Sequence, residues 1–217
     1  MRTLISLLLI AALIPAVPLA ADASVARANE AIVGLPCEGC EAVFVGMPQE
    51  LAASARIAPK DEPGAPLTVS GLVTDVAGVA QSRVVIYAYQ TDEGGRYPRD
   101  PELNGAAARH GRLRGWAQTD GDGRYEFQTI RPGAYPGSSI PQHIHMHVIE
   151  PGRCTYYLGD IFFADDPLLT AALAAREASA RGSNGVAQPS ALGDGAWRVN
   201  RDVTLGANVP GYENCSQ

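Results

Sequence analysis

The chain has 217 residues, 17 basic and 23 acidic side chains, and a formal net charge of −6. That length suits one domain with additions and is enough to bury a sizeable core. A single lysine, Lys60, and arginines that never form runs argue against a nucleic-acid-binding surface.

In chain order, Arg2 precedes an apolar run from Leu4 to about Leu19, and small residues follow at Ala20, Ala21 and Ala23. Residues 1–23 read as a secretory signal, with Ala21-Asp22-Ala23 as the cleavage site and Ala20 as an alternative. No Cys follows the run, which argues against a lipid anchor, and Pro15 and Pro18 interrupt it, which argues against a retained membrane span. The expected location is therefore secreted or periplasmic. In that setting Cys37, Cys40, Cys154 and Cys215 predict two disulfides, with three pairings open. Cys37-Glu38-Gly39-Cys40 could also be half a zinc site or a redox pair. There is no second CxxC and no surrounding βαβ pattern, so bridging is the expectation.

Residues 24–66 form an arm that ends in a linker at Pro59, Pro63, Gly64 and Pro66. An arm this long should wrap the domain or meet a partner, which leaves an oligomer open. The domain proper is expected over 67–217. Leu67 to Val73 and Arg83 to Tyr89 read as strands rich in β-branched and aromatic residues. Thr91 to His110 is a long irregular segment, of a length that is usually functional or disordered. Arg114 to Gln118 and Arg124 to Gln128 predict a hairpin around Thr119-Asp120-Gly121-Asp122-Gly123. The Asp-Gly turn accounts for that segment without a calcium loop, which needs more carboxylates downstream. A strand from Tyr156 to Phe163, a helix from Asp166 to Arg181, a loop over 182–195 and a closing strand from Ala196 to Leu205 follow. The fold class is all-β: a two-sheet sandwich with an N-terminal arm, long loops and one short helix in the C-terminal half.

The chemistry concentrates in Gly133-Ala134-Tyr135-Pro136 and His143-Ile144-His145-Met146-His147. Three of the four histidines fall within five residues, at the two-residue period of a strand. They project from one face, and Ile144, Met146 and Val148 pack on the other. A bland alternative is a solvated polar face, but the clustering favours a metal. Phenolate and neutral imidazole form a hard, anionic donor set, whereas magnesium or calcium would want carboxylates. Deprotonating a phenol of pKa about 10 calls for a strongly Lewis-acidic cation, and Fe(III) is the natural one.

Gly95-Arg96-Tyr97, Thr119-Asp120, Gly123-Arg124-Tyr125 through Ala134-Tyr135-Pro136, His143-Ile144-His145, Asp165-Asp166-Pro167-Leu168 and Tyr212-Glu213-Asn214-Cys215 together resemble the intradiol ring-cleavage dioxygenases. Within that family the chain looks most like the iron-bearing chain of the protocatechuate-cleaving branch. The resemblance covers about residues 67–217. It implies Fe(III) held by Tyr97, Tyr135, His143 and His145, and a β-sandwich core. It also implies a small aromatic substrate and O2, with cleavage of a catechol to a muconate-type diacid and no organic cofactor. By the same likeness Tyr97 is the ligand that leaves the metal and acts as base, so Tyr97 and Tyr135 are the catalytic candidates.

The match has departures. The family's Arg-Pro-x-His-x-His is here Ile140-Pro141-Gln142-His143-Ile144-His145, so the Arg that stabilises developing ring charge is replaced by Ile140. Arg112, Arg114 and Arg131 are the candidates to replace it. Asp160 stands where the family often has an amide. His147 reads equally as a residue behind the ligands or a solvated one, and His110 either faces the pocket or, the favoured reading, sits in a surface loop. Two other readings stand beside the enzyme. One is a non-catalytic transthyretin-like module, suggested by Gly71 to Asp75 and Val84 to Ile86. The other is an iron site whose chemistry has changed with the loss of the Arg.

Overall fold

The computed structural model describes residues 31–37 and 39–215, so the expected leader, residues 1–23, lies outside the described residues. No helix among the described residues is long and apolar enough to cross a membrane. Two strands fall within 24–66: Ala31–Ile32 (β1) and Ser54–Arg56 (β2). Pro66–Thr74 (β3) alternates between buried and half-exposed residues, the pattern of a strand with one face in a core. Val85–Gln90 (β4) is buried throughout, so both of its faces are covered. A short helix, Gly105–His110 (α1), interrupts the segment expected to be irregular. Next come Arg114–Gln118 (β5), Arg124–Ile130 (β6), His143–Glu150 (β7), Cys154–Tyr157 (β8) and Ile161–Phe163 (β9). The helix Ala171–Glu177 (α2) and the strands Val186–Ala187 (β10), Ser190–Gly193 (β11), Ala196–Asn200 (β12) and Val203–Thr204 (β13) complete the described chain.

The strands form the expected two-sheet sandwich. One sheet runs β1-β8-β7-β4-β5, with β9 beside β7 and β10 beside β9; the other runs β11-β12-β3-β6-β2, with β13 on β3. Between them lies the main core. Ile86, Ile144, Met146 and Val148 enter it from the first sheet, and Leu67, Val69 and Phe127 from the second. Fully burying one such side chain contributes about 1.5–3 kcal/mol. The opposite face of the first sheet carries a smaller cluster of Val43, Val85, Tyr87, Tyr89 and Ile149, packed by Phe44, Met47 and Leu51 of the arm. The Trp116 Nε1–H donates to the Val43 carbonyl at 2.7 Å, and Arg114 donates to the Val45 carbonyl at 2.9 Å. The arm therefore roofs the outer face of the sheet that holds the histidine strand. Its strands also join both sheets, β1 beside β8 and β2 beside β6.

Several local expectations are corrected. Residues 114–128 are not a hairpin: β5 pairs with β4 and β6 with β3, so the Asp-Gly turn carries the chain from one sheet to the other. The Asp120 carboxylate accepts from the N–H groups of Asp122 and Arg124, at 3.0 and 2.9 Å. The Thr119 hydroxyl donates to the Gln81 carbonyl at 2.7 Å, which ties the corner to the segment that leads into β4 and away from a local ladder. The strand expected from Tyr156 to Phe163 breaks between β8 and β9. Gly159 sits there against Ala180, and a Cβ at that position would lie 2.3 Å from the Ala180 Cβ. The helix is shorter than Asp166 to Arg181. Asp166 accepts from the Leu168 N–H at 2.8 Å and closes its own turn, so the helix starts after Thr170, whose hydroxyl accepts from the Leu173 N–H at 3.2 Å. The loop expected over 182–195 contains β10 and β11. The closing strand divides into β12 and β13 around Arg201, which is buried with its guanidinium donating to Ser183 Oγ, the Asp202 carbonyl and the Arg181 carbonyl. Both expected disulfides form, Cys37–Cys40 and Cys154–Cys215, which resolves the three pairings.

Candidate metal centre

β7 places His143, His145 and His147 on one face, with Ile144, Met146 and Val148 in the main core, as the alternation predicts. The two tyrosines arrive from separate loops. The first loop turns at Gly95 with φ 74°, closed by a bond from the Gly95 N–H to the Asp92 carbonyl at 3.1 Å. A Cβ at Gly95 would lie 1.9 Å from the Ala134 carbonyl oxygen. The second loop answers in kind: a Cβ at Gly133 would lie 2.3 Å from the Glu93 carbonyl oxygen, and the Gly133 N–H donates to the Asp92 carbonyl at 2.8 Å. The Thr91 hydroxyl also donates to the Gly133 carbonyl at 2.8 Å. Backbone approach this close requires glycine on both sides, and it sets Tyr97 beside Tyr135.

The four expected ligands converge. Tyr97 Oη lies 2.6 Å from Tyr135 Oη and 2.8 Å from His145 Nε2. Tyr135 Oη lies 3.1 Å from His143 Nε2 and 3.3 Å from His145 Nε2, and the two Nε2 atoms are 3.2 Å apart. Donors held about 2.0–2.1 Å from one small cation, at about 90–110° to each other, sit about 2.9–3.4 Å apart, close to this arrangement.

The tautomers fit a cation as well. His143 Nδ1 lies 2.7 Å from the Pro141 carbonyl, which can only accept, so Nδ1 carries the proton and Nε2 presents its lone pair. His145 Nδ1 lies 2.9 Å from the Asp160 carboxylate and 3.1 Å from Tyr157 Oη, and Tyr157 itself donates to Asp160. A ring N–H bonded outward to a carboxylate is the usual support of a ligand imidazole. Burial, then the neighbouring His145, holds the His143 imidazole below its ordinary pKa. Burial, then Tyr135, pushes the Tyr97 phenol far above its ordinary pKa, so its phenolate form depends on a cation at this point. Burial would raise Asp160, but its electrostatic attraction to the His145 ring and the hydrogen bond from it outweigh burial and hold the carboxyl below its ordinary range.

The structure decides between the readings left open for two histidines. His147 is fully buried, with its ring 5.0 Å from that of Tyr157, which removes the solvated alternative. His110 is buried and lines the cavity, so the pocket-facing reading holds and the favoured surface-loop reading does not. It shares a 2.8 Å hydrogen bond between Nδ1 and Tyr87 Oη, and its ring stacks on Tyr89 at 3.7 Å. Tyr89 stacks on His145 at 4.5 Å through its own ring. Burial lowers the His110 pKa to about 4, so it is neutral near pH 7. Tyr89 and Tyr157 were missed. Tyr89 had a signal, since it alternates with Tyr87 on a strand next to the histidines; Tyr157 had none in its local pattern.

The cluster opens into a cavity of about 940 Å³. Of the arginines weighed as replacements, Arg112 pairs with Glu62, Arg131 with Asp165, and Arg114 bonds the Val45 carbonyl. None of the three lines the cavity; Arg109 and Arg176 do, together with Ile140, which is 46% exposed.

A β-sandwich with paired tyrosines and histidines turned toward one cavity is the architecture of a dioxygenase fold. A family model described as Dioxygenase matches residues 43–192, more than half of the chain. The chain belongs to the intradiol ring-cleavage dioxygenase family. It is 32% identical over 120 residues to the protocatechuate 3,4-dioxygenase beta chain of Burkholderia cepacia, a match covering 49% of this chain and 48% of that one. The chain thus spans about half the length of this curated relative. The dioxygenase domain of a carbohydrate-binding fusion protein from Streptomyces sp. SirexAA-E superposes with a TM-score of 0.52 at 27% identity, covering 73% of this chain and 91% of that one. The 3-chlorocatechol 1,2-dioxygenase of Rhodococcus opacus 1CP superposes with a TM-score of 0.56 at 20% identity, covering 73% and 66%, and shares the fold.

Proposed function

We propose that this chain is an exported non-haem Fe(III) intradiol dioxygenase that cleaves a catechol-type ring with O2 to a muconate-type diacid. The observation that carries the reading is the convergence of Tyr97, Tyr135, His143 and His145, with both Nδ1 atoms committed elsewhere. These four side chains hold the iron. A ferric ion supplies Lewis acidity and a redox partner for the aromatic ring.

The chain's own residues do the rest. Asp160 and Tyr157 orient the His145 imidazole, and the Pro141 carbonyl orients His143. Tyr97 Oη, at the cavity wall, takes a proton from a substrate hydroxyl. Phe162, Pro141 and Ile140 give the ring an apolar wall. A non-catalytic sandwich module has no use for four converged donors. The alkyl side chain of Ile140 at the cavity also supports a second reading, an iron site with altered chemistry, because the loss of one such charged group costs about 10²–10³ in rate.

Metal analysis of the mature protein should find one iron per chain and a red-brown phenolate-to-iron band. With a catechol, both atoms of labelled O2 should enter the ring-opened diacid. Colourless protein that takes up no iron on reconstitution would remove the enzyme reading. A coloured iron protein that binds catechols without consuming O2 would favour the altered site.

A further inference from the structure

The molecule is acidic, with a net charge of −6, yet the cavity wall is not. Two arginines from different helices line it, Arg109 of α1 and Arg176 of α2. Asp160 is the one carboxylate among the described lining residues, and it is 16% exposed and bonded to His145 and Tyr157. The two guanidinium groups are accessible, with side chains 63% and 73% exposed. Among the described residues, Arg176 pairs only through Nε, with Glu177 at 2.8 Å, and Arg109 holds Glu41 at a long 3.4 Å. Neither glutamate lines the cavity. Apolar side chains of Ile140, Phe162 and Leu173 line the same cavity.

Size points the same way as charge. A cavity of about 940 Å³ lies at the upper end of the range of about 300–1,000 Å³ that encloses drug-sized ligands, and one six-membered ring fills a small part of it. A cleft lined by one sign of charge concentrates ligands of the other sign. Resting on the ring-cleavage reading above, we propose that the substrate is a catechol extended by an apolar side chain that ends in a carboxylate. Arg109 and Arg176 select the anion, and the apolar wall holds the linker. They are specificity residues at the cavity wall, outside the donor cluster.

The test compares a matched pair, 3,4-dihydroxycinnamate and its methyl ester, which share ring and reach and differ in charge. Oxygen uptake by the iron-loaded protein should give a higher kcat/KM for the acid by about five- to twentyfold, the scale of two exposed ion pairs. Arg109→Gln and Arg176→Gln should each reduce that ratio, and the double variant should bring it near one, with circular dichroism and iron content as the controls for folding. Added salt should shrink the wild-type ratio. Calorimetry with 4-hydroxycinnamate and its ester, neither of which is a catechol, reads the same preference without turnover. Equal values for acid and ester, with catechol still cleaved, overturn this proposal and leave the ring-cleavage reading intact. No oxygen uptake with any catechol, while calorimetry still favours the acid, overturns the ring-cleavage reading and keeps the anion site.

Discussion

At the scale of single residues, the site depends on side chains that never touch the proposed ion. Asp160 is the clearest case. Its carboxylate accepts from His145 Nδ1 and so sets the tautomer that leaves Nε2 bare. Asp160→Ala removes that acceptor, and such changes typically cost about 10–100-fold in metal affinity. Asp160→Asn should recover most of the loss, because an amide oxygen still accepts the same bond. Iron titration of the two variants against a competing chelator measures both effects. Equal losses in the two would mean that the negative charge matters, and not the hydrogen bond. Tyr135 answers a different question. Tyr135→Phe deletes an oxygen 3.1 Å from His143 Nε2 and should weaken both the iron colour and iron retention.

At the scale of elements, the site is made by two loops laid on one strand. Residues 91–97 and 133–135 press backbone against backbone, and Gly95 has both a positive φ of 74° and no room for a Cβ. Gly95→Ala should therefore separate the tyrosines. A misfit at such a backbone position should cost about 1–3 kcal/mol or more of stability. Circular dichroism should show the sandwich retained, while the phenolate band is lost or shifted. A variant with unchanged colour and melting temperature would show that the loops do not set the tyrosine spacing. The break between β8 and β9 matters for the same reason. A continuous strand would alternate straight through Asp160, whereas the break between β8 and β9 allows its carboxylate to meet His145.

For the whole molecule, the ends of the described chain are tied back to the sheet that holds the site. Cys154, at the start of β8, bridges to Cys215 across 61 residues of sequence. Closing a loop of that length lowers unfolded-state entropy by an amount worth about 4 kcal/mol in the chain-entropy treatment. Replacing both cysteines with serine should lower the urea midpoint accordingly. The Cys37–Cys40 bridge spans 3 residues of sequence and should contribute less by this route. Its loop lies instead on the buried face behind the site, where a Cβ at Gly39 would meet His110 Nε2 at 2.3 Å. The stack His110–Tyr89–His145 thus links the arm to the donor cluster through direct ring contacts.

Much of this was legible in the chain itself, because the relevant signals are local. The two-residue period of His143, His145 and His147 set their common face, the β-branched and turn residues set a sandwich, and an even cysteine count predicted two bridges. Tertiary structure decided the rest. Asp120 and Gly123 specify a tight turn, but which sheet each flanking strand joins depends on distant β3 and β4, so the expected hairpin became a corner. His147 shares the face of His145 yet sits about 7 Å further along the strand. There, Tyr157 and Tyr87 enclose its ring away from the tyrosine loops. The burial of His110 likewise rests on Tyr87, Tyr89 and Gly39, which are remote from it in sequence. Periodicity acts between neighbours along one strand. The meeting of Tyr97 with Tyr135 depends on glycine-permitted contact between two separate loops, and that geometry exists only once the sandwich has formed.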